Sequence, residues 1–147
     1  MVVGSGSGPK AAFLFPGQGT QSVGMGKDLH GASPAARGVF QQADEVLGYP
    51  LSRLIFEGPE AELTKTVNAH PAILTVSLAF LEALEEALGR GGTPSPSFVA
   101  GHSLGEYTAL VAAGSLSVPQ AVWLVRRRGQ LMQEASERHP TGMLAVV

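Results

Sequence analysis

The pentapeptide Gly101-His102-Ser103-Leu104-Gly105 constrains this chain more than any other stretch. A short apolar run, "SFVA", leads into it, and an apolar, helix-forming run to about Ala113 follows, stopped by Gly114. The pattern G-x-S-x-G between a strand and a helix is a nucleophile elbow. The turn exposes the serine hydroxyl at the top of a sheet. It also sets the next backbone N–H, here that of Leu104, at a helix N-terminus, where it can stabilise an oxyanion. The flanking glycines permit the close backbone approach that such a turn needs.

The rest of the chain fits a layered α/β fold. "AAFLF" (Ala11–Phe15) is an apolar run ended by Pro16 and Gly17, and reads as a buried strand feeding a loop. The loop carries Gly17, Gly19, Gly24 and Gly26 and must turn sharply or admit something close to its backbone. In "SPAARGVFQQADEVLG", Ser33 is the expected N-cap, Pro34 suits the first turn and Gly48 the stop. A short helix is expected near Pro59. A long one is expected over 68–88, apolar on all sides in its first half and carrying Glu82, Glu85 and Glu86 on a solvated face. "GRGGTPSPS" reads as a linker. Ser117 and Gln120 have capping-box spacing and open a helix to about Glu137. "GMLAVV" is a third strand candidate. Strand, helices, strand, two helices and strand predict an α/β architecture with a parallel sheet.

At 147 residues and 44% hydrophobic content, the chain suffices for one modest core. Its net charge of −2 gives no basic footprint for nucleic acid. Without cysteine it has neither disulfides nor thiolate metal sites, which fits a cytoplasmic location. The start "MVVGSGSGPK" lacks the basic and apolar regions of a signal peptide. "AILTVSLAFLEAL" reaches Glu82 well short of a membrane span of roughly 20 residues, so no membrane association is expected.

Three further positions bear on chemistry. Gly17-Gln18-Gly19 follows the first strand and can offer a second oxyanion N–H. On the last helix, Ala121, Leu124, Val125, Leu131, Met132 and Ala135 share a face, with Arg128 near its middle, Arg127 at its edge and Arg126 pointing away. A guanidinium on an apolar face needs an anionic or hydrogen-bonding partner. That partner is either a protein carboxylate or a substrate carboxylate gripped by two parallel hydrogen bonds. Of the four histidines, His102 adjoins Ser103 but points away around the elbow. His30 and His139 lie in polar, exposed contexts. His70 precedes Pro71 at a helix start and can line a pocket. None is a convincing base for the serine, and their spacing matches no metal site.

"FLFPGQGTQSVGMGKDL", "GHSLGEYTALVAAGSLS" and "RRRGQLMQEA", in that order, closely resemble the malonyl-CoA:acyl-carrier-protein transacylases and the related acyltransferase domains of fatty-acid and polyketide synthases. The resemblance runs from about Ala11 to the last residue. It implies an α/β-hydrolase-like parallel-sheet core, Ser103 as the nucleophile, and Gln18 and Leu104 as the oxyanion-hole donors. It also implies that Arg128 binds the free carboxylate of a malonyl group, with His70 and His102 completing the substrate-binding set. The implied reaction is ping-pong, in fatty acid biosynthesis. Malonyl passes from malonyl-CoA to Ser103, then to the phosphopantetheine thiol of acyl carrier protein, with no bound cofactor or metal. The alternatives are an acyltransferase domain of a polyketide synthase or an α/β serine hydrolase.

The chain departs from the family twice. His70 stands in "AHPA" where the family usually has glutamine. The family's catalytic histidine also lies well downstream, beyond a ferredoxin-like small subdomain. The expected organisation is a flexible lead-in over 1–10, part of the large subdomain over 11–138 and the start of the small subdomain over 139–147. On its own, such a chain is expected to expose apolar faces, to fold poorly and to have little transacylase activity.

Overall fold

The computed structural model describes residues 11–89, 93 and 95–138. The elements run β1 (Ala12–Phe15), α1 (Lys27–Ala32), α2 (Pro34–Leu47), α3 (Leu51–Glu57), α4 (Glu60–Leu63), α5 (Thr66–Leu88), β2 (Phe98–Gly101), α6 (Gly105–Ala112) and α7 (Val118–Arg138). The strands pair in parallel, with Ala12 opposite Phe98 and Phe15 opposite Gly101. A parallel pair needs a crossover, and the helices α1 to α5 supply it. The fold is helix-rich α/β, as the sequence predicts. The proposed third strand, His139 and the 139–147 unit lie outside the described residues, as do residues 1–10.

Local chemistry sets the helix ends. The Ser33 hydroxyl accepts a hydrogen bond from Ala36 N at 3.0 Å and donates to the Glu86 carboxylate on α5. Its cap therefore also ties α2 to α5. Gly48 closes α2 with φ 71°, a left-handed conformation in which glycine carries no steric cost. Ser117 and Gln120 form the expected capping box. Ser117 N donates to Gln120 Oε1 at 2.9 Å, and Gln120 N to Ser117 Oγ at 3.3 Å.

The core lies where α5 packs against α2 and α7. Phe40, Leu51, Ile55, Leu74, Leu78, Val122 and Val125 are buried there. The first half of α5, from Ala69 to Val76, is buried all round, as its sequence requires. The helix extends two residues earlier than expected. At 23 residues it is, by length and composition alone, apolar enough to cross a membrane, contrary to the expectation from the shorter run. Its packing is that of a core helix, with Leu74 and Leu78 inside the cluster that α2 and α7 close.

Burial of the strands departs from expectation. Alternate residues of both face solvent, Leu14 at 76% and Phe98 at 66%. Continuous apolar runs mark strands covered on both faces, and α6 packs on this pair. Between β1 and α5 an apolar groove of about 680 Å³ opens, lined by Phe13, Phe15, Ile73, Val76 and Phe80 among others.

Candidate active site

β2 ends at Gly101 and α6 starts at Gly105, so the chain reverses over three residues. Ser103 sits at the apex with φ 55°, the only non-glycine residue with positive φ among the described residues. Such a conformation costs a residue with a side chain about 1–3 kcal/mol and persists only where the surroundings impose it. Here they do. His102 N donates to Phe15 O at 3.0 Å, Gly105 N to His102 O at 2.9 Å and Glu106 N to Ser103 O at 3.3 Å. Gly101 and Gly105 have no room for a side chain. A Cβ on Gly101 would lie 1.9 Å from Gly105 C, and one on Gly105 would lie 2.5 Å from Phe15 O.

Leu104 is fully buried at the start of α6, with its N–H at the helix N-terminus. Among the described residues, neither the Leu104 nor the Gln18 backbone N–H has a protein acceptor. Gln18 contributes more than its backbone. Its amide Nε2 donates to Thr66 Oγ1 at 3.2 Å, and its Oε1 accepts from His70 Nε2 at 3.0 Å. The glycine loop is thus pinned to the start of α5.

His70 is fully buried and forms the junction of the site. Arg128 Nη1 lies 3.3 Å from Nδ1 and 3.4 Å from Nε2; with Nε2–H given to Gln18, Nδ1 is the ring nitrogen left to accept. Burial, and then the adjacent Arg128 charge, push its pKa down from 6.5 to about 4. A neutral imidazole can accept from a guanidinium; an imidazolium cannot. Arg128 Nη2 donates to Ser103 Oγ at 2.9 Å. Gln18, His70, Arg128 and Ser103 therefore form one hydrogen-bonded chain.

The depressed pKa makes stability depend on pH. Between pH 6.5 and 4 the unfolded chain binds a proton at His70 and the folded chain does not, so stability falls as pH falls through that window. The full shift corresponds to about 3 kcal/mol. Urea melts at pH 7.5 and 4.5 should show most of that loss. His70→Gln, which keeps an acceptor and a donor but does not titrate, should remove most of the difference from wild type. Equal acid losses in both proteins would show that His70 is not held neutral.

The structure revises the reading of α7. Leu124, Leu131, Met132 and Ala135 do share a face with Arg128, but that face lines an open groove of about 550 Å³ beside Tyr107, not the core. The buried stripe is Ala121, Val122, Val125 and Gly129. Gly129 sets it: a Cβ there would lie 2.9 Å from Val67 Cα, so only glycine lets α7 sit this close to α5. Arg126 and Arg128 then flank the stripe on opposite sides, so Arg126 does not point away. Its Nη1 donates to Tyr49 Oη at 3.0 Å and to Val67 O and Asn68 Oδ1 at 2.8 Å, and its guanidinium covers the Tyr49 ring. Arg127 is exposed, 3.9 Å from Glu134.

Of the other histidines, His30 differs from expectation, and His102, as expected, does not meet Ser103. His30 is half-buried, with its ring edge-on to Phe40 at 5.4 Å. His102 is exposed and turns toward Gly17, where a Cβ would lie 2.5 Å from its Nδ1. Among the described residues it makes no side-chain hydrogen bond to Ser103, His70 or Arg128. Also among the described residues, no imidazole or carboxylate is hydrogen-bonded to Ser103, and no carboxylate lies within 4.0 Å of Arg128. No cluster of metal-binding side chains occurs among them either.

Fold and site together define a helix-rich α/β protein with a serine nucleophile elbow and a guanidinium on the serine. The chain belongs to the acyl transferase domain family, which matches residues 12–147. It is 55% identical over 138 residues to the malonyl CoA-acyl carrier protein transacylase of Bacillus subtilis strain 168, covering 94% of this chain and 42% of that protein. The acyl-carrier-protein S-malonyltransferase of Bartonella henselae superposes with a TM-score of 0.81 at 49% identity, over 86% of this chain and 40% of the other. A malonyl-transacylase solved with a type II polyketide synthase acyl-carrier protein superposes with a TM-score of 0.80, also at 49% identity and with the same coverages. The chain thus spans about two-fifths of the length of these relatives.

Proposed function

We propose that this chain carries the nucleophile and the carboxylate-binding elements of a malonyl-CoA:acyl-carrier-protein transacylase. The observation behind this reading is Arg128, a half-buried guanidinium with neutral partners only, bonded to the elbow serine. A charge held this way, with no carboxylate near it among the described residues, suits an anion that arrives with the substrate. A lipase-like hydrolase has no use for it. The names of the relatives point the same way.

In this reading Ser103 Oγ attacks the thioester carbonyl of malonyl-CoA. The oxyanion takes hydrogen bonds from the N–H groups of Gln18 and Leu104. The C–S bond breaks, coenzyme A leaves as its thiol, and malonyl remains as an ester on Ser103. The phosphopantetheine thiol of acyl carrier protein then attacks that ester and restores the serine. Arg128 holds the distal carboxylate throughout, and the apolar wall of Leu124, Leu131 and Met132 lies alongside. His70 serves the pocket through Arg128, and His102 lies beside the glycine loop at Gly17. The base that takes the Ser103 proton belongs, on this proposal, to the remainder of the fold that the longer relatives carry. The chain alone loads slowly and does not turn over.

Intact mass after prolonged incubation with malonyl-CoA tests this. A single malonyl adduct should accumulate on wild type and be absent in Ser103→Ala. An adduct that persists in Ser103→Ala would place the chemistry elsewhere. Release of free malonate would favour the hydrolase.

A further inference from the structure

We propose that the Arg128–Ser103 hydrogen bond is a specificity gate: the guanidinium that recognises the acyl carboxylate caps the nucleophile until that carboxylate draws it away. The inference rests on the malonyl reading above and goes beyond it. There, Arg128 only holds the substrate; here, its contact with Ser103 couples recognition to release of the nucleophile.

The geometry carries the argument. Arg128 Nη2 donates to Ser103 Oγ at 2.9 Å, a normal hydrogen-bond length, and so engages one of the two lone pairs of the hydroxyl and draws electron density from the nucleophile. Nη1 is engaged by the buried ring of His70. A guanidinium offers a carboxylate two forks, Nη1 with Nη2 and Nε with Nη2. Each fork uses one of the two N–H groups of Nη2, and Ser103 holds one of them. A carboxylate seated on the fork that contains that N–H brings an oxygen to the proton that Ser103 occupies. The anionic acceptor makes the stronger bond, roughly twice that of a neutral hydroxyl, and displaces it. Ser103 Oγ is then free while the acyl group is already anchored beside it. An acyl group with no carboxylate, such as acetyl, has nothing with which to displace the guanidinium.

Competition of this kind has a signature that simple binding lacks. If Ser103 competes with the ligand for Arg128, removing the hydroxyl strengthens ligand binding. Titration calorimetry of the 147-residue chain with sodium malonate reads this directly. Ser103→Ala should bind malonate about two- to tenfold more tightly than wild type, the range expected for one hydrogen bond no longer broken. Ser103→Gly removes the same hydroxyl and suits the positive φ, so it should agree even if the alanine is strained. Acetamide, which has no carboxylate, should gain nothing in either variant. Unchanged or weaker malonate binding in both serine variants, with binding abolished in Arg128→Ala, would overturn the gate and leave the carboxylate site standing. Malonate binding that survives Arg128→Ala, or is absent in every variant, would overturn the carboxylate reading and the gate with it.

Discussion

Gly101→Ala is expected to cost about 4 kcal/mol or more, the range reserved for substitutions with a severe steric cause. The new Cβ would lie 1.9 Å from Gly105 C, 2.0 Å from Gly105 O and 2.4 Å from Glu106 N. All three are backbone atoms, so no rotamer change relieves the clash. Either β2 parts from α6, or the turn opens and Ser103 leaves its φ of 55°. The Tm should fall by roughly 10 °C or more for a chain of this size. Gly38→Ala provides the contrast. Gly38 lies within α2, its φ is outside the left-handed region, and a Cβ there meets nothing within 4 Å. That change should raise stability by about 0.4–1 kcal/mol by restricting the unfolded chain. Differential scanning calorimetry of the two variants checks both signs. A Gly101→Ala protein that melts with wild type would mean that the elbow is not packed as described.

What was legible in the sequence is what local chemistry decides. Ser33, Pro34 and Gly48 bracket α2, and Ser117 with Gln120 opens α7, because caps and turn residues act over a few positions. The elbow was legible for the same reason: its glycines and serine sit within five residues. α1 and α3 were not. Both are short, and α3 holds its place through Leu51 and Ile55 in the core, a tertiary cause with little local signal. The burial of α7 was misjudged because a hydrophobic count favours Leu124 and Leu131, whereas close packing is decided by Gly129. Had Gly129 been placed on the contact face, Arg126 and Arg128 would have emerged as its two flanks. The chain from Gln18 through His70 to Arg128 joins residues 52 and 58 positions apart. Composition and spacing say nothing about such a junction. The family resemblance supplied the members of the site but not the bonds among them.

Arg128→Ala is expected to weaken malonate binding by about 2–3 kcal/mol, roughly 30- to 150-fold, the usual worth of hydrogen bonds to a charged group. The lower part of the range reported for fully desolvated pairs applies because Arg128 is only half-buried and solvent screens it. Lysine should not rescue the loss. It restores the charge, but as a point on a flexible stem, without the planar fork that grips both carboxylate oxygens. It also cannot reach two acceptors, His70 and Ser103, from fixed parallel directions as the guanidinium does. The variant should move His70 as well. The Arg128 charge is the second cause of its low pKa, after burial, so removing that charge should raise the pKa while burial still keeps it below 6.5. NMR titration of the His70 ring can follow this independently of any ligand. Loss of malonate binding together with an upward shift of His70 would tie both effects to one guanidinium. An unmoved His70 would mean that the two side chains do not share the pocket. The selectivity of Ser103 loading should change in the same direction. With Arg128 gone, malonyl-CoA loses its anchor and Ser103 loses its cap, so the preference for the carboxylated thioester should collapse by at least that factor.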